Sequence, residues 1–174
     1  MSELGTRGVV VTAVGSDCRR DDGAGPAVLD QLPRDLAGAE VFGPLANPLE
    51  LLGLWDGAEL AIVVDAFRAG TQPGEVCTVE LDVGVSPETD ARPVARASSH
   101  GFGLMEVFRL ARTLGSAPAR VVLVGIGGED FGEGFGLSPA TSRGVEEAAR
   151  LVVDLTECSP RDSPTGRPLP GAGF

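Results

Sequence analysis

Gly8-Val9-Val10-Val11-Thr12-Ala13-Val14-Gly15-Ser16-Asp17-Cys18-Arg19-Arg20-Asp21-Asp22-Gly23-Ala24-Gly25-Pro26-Ala27-Val28-Leu29-Asp30-Gln31-Leu32-Pro33 is the stretch on which the fold turns. Residues 8–14 form a short β-branched apolar run that ends in glycine and an acidic loop, the pattern of a buried first strand. Gly25-Pro26 then opens a short helix, because the fixed φ of proline suits the first helical turn, and Pro33 ends it.

Outward from there the same alternation continues. Residues 40–42 read as a brief strand, and Asn47-Pro48-Leu49-Glu50 supplies a cap, a first-turn proline and an acid three residues beyond the cap, predicting a helix to about Leu54. Residues 59–64 form a second apolar run that ends in Asp65. Residues 75–81 alternate apolar and polar like a half-exposed strand, and residues 82–97, with Pro87 and Pro93, read as a long loop. From Gly103 onward, Leu104, Val107, Phe108, Ala111 and Leu114 share one helical face, and Gly115 is placed to terminate it. Residues 120–126 are the most continuous apolar run and predict a central strand. A glycine-rich acidic loop follows over 127–137, and Ser138-Pro139 caps a last helix to about Thr156. The sequence is read as one domain over 1–158, with a proline- and glycine-rich tail over 159–174 expected to be disordered and dispensable.

Apolar strands alternating with helices imply an α/β sandwich with helices on both faces of a largely parallel sheet. Such sheets take ligands beyond the carboxyl ends of their strands. Asp21 and Asp22 follow one strand, Asp65 is read as terminating another, and Glu129 and Asp130 follow a third, so several carboxylates are expected at that edge.

At 174 residues the chain is long enough to bury a single substantial core. Cys18, Cys77 and Cys158 are odd in number and widely spaced, with no CxxC, which points to reduced thiols in a cytoplasm. No secretory leader pattern opens the chain, and no apolar stretch approaches the roughly 18 residues of a membrane span, so a soluble intracellular protein is expected. A formal charge of -11, from 25 acidic against 14 basic residues, works against a polyanionic partner, so no nucleic acid is expected. The same excess favours cations or a basic peptide segment.

The chain has a single histidine, His100, in Ser98-Ser99-His100-Gly101-Phe102-Gly103, directly before the helical pattern. One imidazole and two carboxylates at element ends can hold a borderline divalent ion and leave positions open for a substrate. Plainer roles stand beside this one: His100 as a hydrogen-bonded helix-entry residue, and Asp21 and Asp22 as solvated acids near a helix start. Two adjacent acids rarely point at one atom, so only one of them is a candidate ligand. Asp65 needs a partner or an ion, because an acid directly after an apolar run is otherwise desolvated at a cost. Glu129 and Asp130 are left as rim residues of a loop that reads equally as mobile surface. Cys18 reads as a small packing residue. Neither a Walker loop nor a GxGxxG turn is present. A triad from Ser98 or Ser99 lacks a nucleophile elbow.

Taken in order, Ala13-Val14-Gly15-Ser16, Asp21-Asp22-Gly23-Ala24-Gly25, Val63-Val64-Asp65-Ala66, Ser99-His100 with Gly103-Leu104, residues 121–126 and Gly136-Leu137-Ser138-Pro139 resemble the hydrogenase maturation proteases. These endopeptidases trim the large subunit of nickel-iron hydrogenases, and the resemblance spans residues 8–155. It implies a three-layer, phosphorylase/hydrolase-like α/β sandwich with a mostly parallel five-stranded twisted sheet. It also implies one peptide-bond cleavage that removes a C-terminal extension from the precursor. By motif, Asp22, Asp65 and His100 would bind nickel carried by the substrate, with no cofactor of the protein's own. The nickel-loaded large-subunit precursor would be the partner, and the protein would act as a monomer. The family often has Glu where this chain has Asp22 and usually Asn where it has Ser16. The shorter acid moves a ligand oxygen by roughly 1.5 Å of carbon chain. Asp21 is then a reserve ligand or an orienting acid. Two other readings stand beside the protease: a non-enzymatic hydrogenase assembly factor, and an unrelated metal-dependent hydrolase with its own ion.

Overall fold

A computed structural model describes residues 7–36, 38–68, 72–82 and 103–158. Within them the apolar runs become five strands: β1 Arg7–Ala13, β2 Ala39–Val41, β3 Ala58–Phe67, β4 Val76–Asp82 and β5 Arg120–Gly127. The sheet order is β2-β1-β3-β5-β4, parallel throughout except that β4 runs antiparallel to β5. Among the described residues four α-helices accompany them: α1 Ala24–Gln31, α2 Leu51–Trp55, α3 Leu104–Leu114 and α4 Pro139–Glu157. The expected tail at 159–174, residues 83–97 of the expected loop, and His100 lie outside the described residues.

The burial of β3 and β5 explains their composition. Both are covered on both faces, so they lose the polar alternation of a half-exposed strand and read as continuous apolar runs. On one face Val9, Val11, Leu60, Ile62, Val64, Val122, Val124 and Ile126 meet Val28 of α1 and Val145, Ala148 and Val152 of α4. On the other, Ala61, Val63, Val79, Leu81, Val121 and Leu123 meet Leu51 and Trp55 of α2 and Leu104, Val107, Phe108 and Ala111 of α3. Two cores around one sheet make the expected three layers. At the edge, β4 keeps its alternation, with Val79 and Leu81 buried and Thr78 and Glu80 exposed. Glu80 pairs with Arg120 of β5 at 2.6 Å.

Local chemistry sets the helix ends. Asn47 and Glu50 form a reciprocal capping box at a 3-10 turn, Pro48–Glu50, that leads into α2. The expected helix is thus divided into a tight turn and a short α-helix. Gly115 closes α3 in the left-handed conformation, φ 73°, and Ser138 with Pro139 opens α4. Leu114 departs from its expected place on the buried face of α3: it is 63% exposed in the last turn, where the helix runs past the edge of the core. No helix among the described residues is long and apolar enough to cross a membrane.

One correction bears on the site. Asp65 does not end β3, which continues through Phe67 because Asp65, Ala66 and Phe67 still find ladder partners in Gly125, Ile126 and Gly127 of β5. On its other side β3 loses its neighbour, since the β1 ladder stops where Ala13 pairs with Val64.

Phe108 is buried and meets Trp55 edge-to-face, with ring centroids 6.3 Å apart and planes at 78°. Phe108→Ala is expected to lower the unfolding free energy by about 3–5 kcal/mol, read as a reduced urea midpoint with an unchanged slope.

Candidate active site

Chain order reverses between β1 and β3. From β1 the chain crosses through α1 to β2 on one side, whereas β5 and β4 lie on the other. At such a switch point the loops above adjacent strands separate and leave a crevice at the carboxyl edge. Asp22 and Asp65 both lie at this edge, each about 1% exposed.

The β1 loop reaches its position through close backbone contact. Gly15 has φ 138°, and a Cβ there would lie 2.1 Å from the Asp22 carbonyl oxygen, so the turn can fold back over the end of β1 only above glycine. Gly25, in the first turn of α1, lies where a Cβ would come within 2.8 Å of the Val14 carbonyl and 3.0 Å of the Val64 carbonyl. Between these glycines, Arg20–Gly23 forms a 3-10 turn that packs against β3.

Within that turn the two acids separate. The Oδ1 atom of Asp21 accepts the Ser138 N–H at 2.7 Å. Its Oδ2 accepts the Glu129 N–H at 2.9 Å, the Asp130 N–H at 3.0 Å and the Ser138 hydroxyl at 3.0 Å. Burial pushes the Asp21 carboxyl up. The donors at Ser138, Asp130 and Glu129 more than offset that, and the net effect holds the carboxyl below its ordinary value. Asp22 turns elsewhere: its Oδ2 accepts the Ser16 N–H at 3.0 Å, next to the end of β1. Asp21 is therefore committed to the second loop, and Asp22 is the acid of the first-loop pair held at the β1 end.

The glycine-rich segment is not loose surface. Arg20 N–H donates to the Gly134 carbonyl at 3.0 Å, Gly134 N–H to Cys18 at 2.9 Å, and Asp21 N–H to Asp130 at 2.9 Å. Arg20 also pairs with Asp130 at 3.4 Å, and the Asp130 carboxylate accepts the Gly132 N–H at 3.0 Å. Glu129 and Asp130 are exposed, and these partners turn Asp130 toward Arg20. Arg68, just past β3, stacks over the Phe131 ring at 4.6 Å.

Asp65 lies in β3 two residues beyond Val63, so strand alternation places it on the face that carries Ala61 and Val63 and meets α2 and α3. Helix α3 leads through 115–119 to the first residue of β5, so its amino end at Gly103 lies toward the carboxyl edge, near the Pro48–Glu50 turn that it contacts. His100 precedes Gly103 by three positions in the sequence and lies outside the described residues, as do Ser98 and Ser99. No group of three metal-ligating side chains occurs among the described residues. Cys18 is exposed instead of packed, and a hydrogen bond to Asp17, at 3.4 Å, pushes its thiol pKa up, which disfavours the nucleophilic thiolate. The sequence reading missed the link from Ser138 to Asp21, because a contact across 117 positions leaves no local spacing signal.

Solved structures share this architecture. Hydrogenase maturating endopeptidase HybD from E. coli is 25% identical with a TM-score of 0.69, the match covering 87% of this chain and 93% of that one. The hydrogenase 2 maturation peptidase of Thaumarchaeota archaeon SCGC_AB-539-E09 is 25% identical with a TM-score of 0.59, covering 84% and 96%. The [NiFe] hydrogenase maturation protease HybD from Thermococcus kodakarensis, 23% identical with a TM-score of 0.65 over 85% and 98%, shares the fold. A comparison with curated protein sequences gives no significant match. The hydrogenase maturation protease family model matches residues 45–155. The chain belongs to the hydrogenase maturation protease family, and it is an endopeptidase.

Gly15→Ala is expected to cost at least about 1–3 kcal/mol through backbone strain alone, seen as a lower melting temperature, because the new Cβ has no room beside Asp22. The lowered Asp21 pKa has a pH signature. Its stabilising contribution is complete above the unfolded value of about 3.9 and is lost as pH falls through the lower native value. Removing one donor with Ser138→Ala should shrink this acid-labile part of the stability, measured by urea unfolding across pH 2–6.

Proposed function

We propose that this endopeptidase removes the C-terminal extension of a nickel-iron hydrogenase large-subunit precursor after nickel insertion, with the nickel in the precursor serving as the recognition element. Asp22, Asp65 and His100 engage that ion. The observation that carries this reading is that two buried acids, Asp22 from the β1 loop and Asp65 from β3, lie at the carboxyl edge beside the β1/β3 switch point of the sheet. Two carboxylates and one imidazole suit a borderline ion such as nickel and leave coordination positions for the precursor's own ligands. With the ion held, the nickel would polarise the scissile carbonyl or activate the water that adds across the C–N bond, while Asp22, Asp65 and His100 contribute position.

The shorter acid at 22 is supported by the backbone. The Ser16 N–H that holds Asp22 is a main-chain donor, so serine in place of the usual asparagine at 16 leaves that bond intact. The enzyme acts as a monomer in the cytoplasm, where the three widely spaced cysteines, an odd count with no CxxC, stay reduced.

Intact-mass spectrometry of the cognate precursor, nickel-loaded and nickel-free, tests the reading. Loss of one C-terminal peptide from the loaded form alone is expected. Equal cleavage of both forms would overturn nickel gating, and an unchanged mass of a verified loaded precursor would overturn processing itself. His100→Ala should fold normally and lose roughly 100-fold or more in kcat/KM, the scale of misplacing a reacting centre. Full activity in that variant would remove His100 from the site.

A further inference from the structure

We propose that Asp21 is the positioning residue of this site: its carboxylate, bonded to the 129–138 segment, fixes the rotation of the 20–23 turn and so holds Asp22 on the Ser16 amide. The inference rests on the reading of Asp22 as a substrate-facing acid, and it adds a role for the neighbouring acid.

The geometry supports it in three ways. Asp21 is fully buried, and four donors from Glu129, Asp130 and Ser138 converge on its two oxygens. A buried carboxylate with that many bonds cannot swing away without stranding its charge and its donors together. Asp21 and Asp22 are also consecutive in a 3-10 turn, where three residues complete a circle and neighbouring side chains diverge by about 120°. Fixing the direction of the first therefore fixes that of the second. The remaining freedom of the turn is closed by backbone contact: the Asp22 carbonyl lies over Gly15, and a Cβ on Gly23 would come within 3.0 Å of the Asp17 Cα. Arg20, which opens the turn, takes φ 50°, a conformation that non-glycine residues hold only where their surroundings impose it. Its N–H bond to Gly134 supplies that constraint.

Asp21→Asn keeps the shape of the side chain but replaces one acceptor oxygen with a donor, which cannot face the Ser138, Glu129 and Asp130 amides. In the full-length protein we expect the Ser16 amide resonance in a 1H–15N spectrum to move upfield as its bond to Asp22 weakens. We also expect processing kcat to fall by about 10–100-fold, the usual effect of losing an orienting partner, and KM for the nickel-loaded precursor to rise. Ser138→Ala should move both readouts in the same direction by less, and Ser138→Thr should restore them. Val152→Ala, in the α4 core, controls for stability: it lowers the melting temperature and leaves the Ser16 resonance and kcat unchanged. A folded Asp21→Asn protein with an unmoved Ser16 amide and full kcat would overturn the proposal. If that variant does not fold, an unmoved Ser16 amide in Ser138→Ala would overturn it. The amide readout needs no substrate, so failure of the wild-type protein to process precursor would count against the proposed function and leave this test standing.

Discussion

The hydrogen bonds to the Asp21 carboxylate connect the two loops that build the carboxyl edge of the sheet. A charge removed from water is tolerated here because four donors meet it, and the cost of stranding any of them resists movement of the turn. Through this junction the β1 loop, the segment after β5 and the start of α4 share one geometry. Ser138 illustrates the economy: its hydroxyl donates to Asp21 and also accepts the Thr141 N–H as the cap of α4. Helix entry and loop closure thus depend on the same side chain.

Much of the fold was legible in the chain itself. The apolar runs located the strands because β3 and β5 are covered on both faces, and the 3.6-residue period located the buried side of α3. Caps were readable because Asn47, Ser138 and Gly115 act on neighbours within a few residues. What local pattern could not supply was pairing. The extension of β3 past Asp65 depends on partners in β5, some sixty positions away, and neither strand alone announces where a ladder ends. Leu114 was misplaced for a related reason: periodicity gives a face, but only the packed neighbours decide how far along the helix that face stays covered.

The site was legible in part. Asp65 drew attention because an acid in an apolar run needs a reason, and its burial agrees with that argument. The choice between Asp21 and Asp22 was beyond local reading, since adjacent identical residues carry the same chemistry and differ only in where a 3-10 turn points them. The acidic, glycine-rich stretch after β5 had two readings of equal standing, and its backbone bonds to Cys18, Arg20 and Asp21 give it a fixed shape. Glycine there serves close approach: at Gly134 a Cβ would fall within 3.4 Å of the Arg20 guanidinium.

The partners of Asp21 lie 108 to 117 positions downstream of it. Contacts of such sequence separation form only after a large loop has closed, and they are among the last to repay its entropy. During synthesis the first turn emerges early but has no donors to settle it until β5 and the start of α4 have left the ribosome. The β1–α1 unit is therefore made long before the acid pair is set, so a truncated or half-made chain carries the acids without their arrangement. For an enzyme that cuts another protein, this order of assembly delays the setting of the acid pair until the fold is nearly complete.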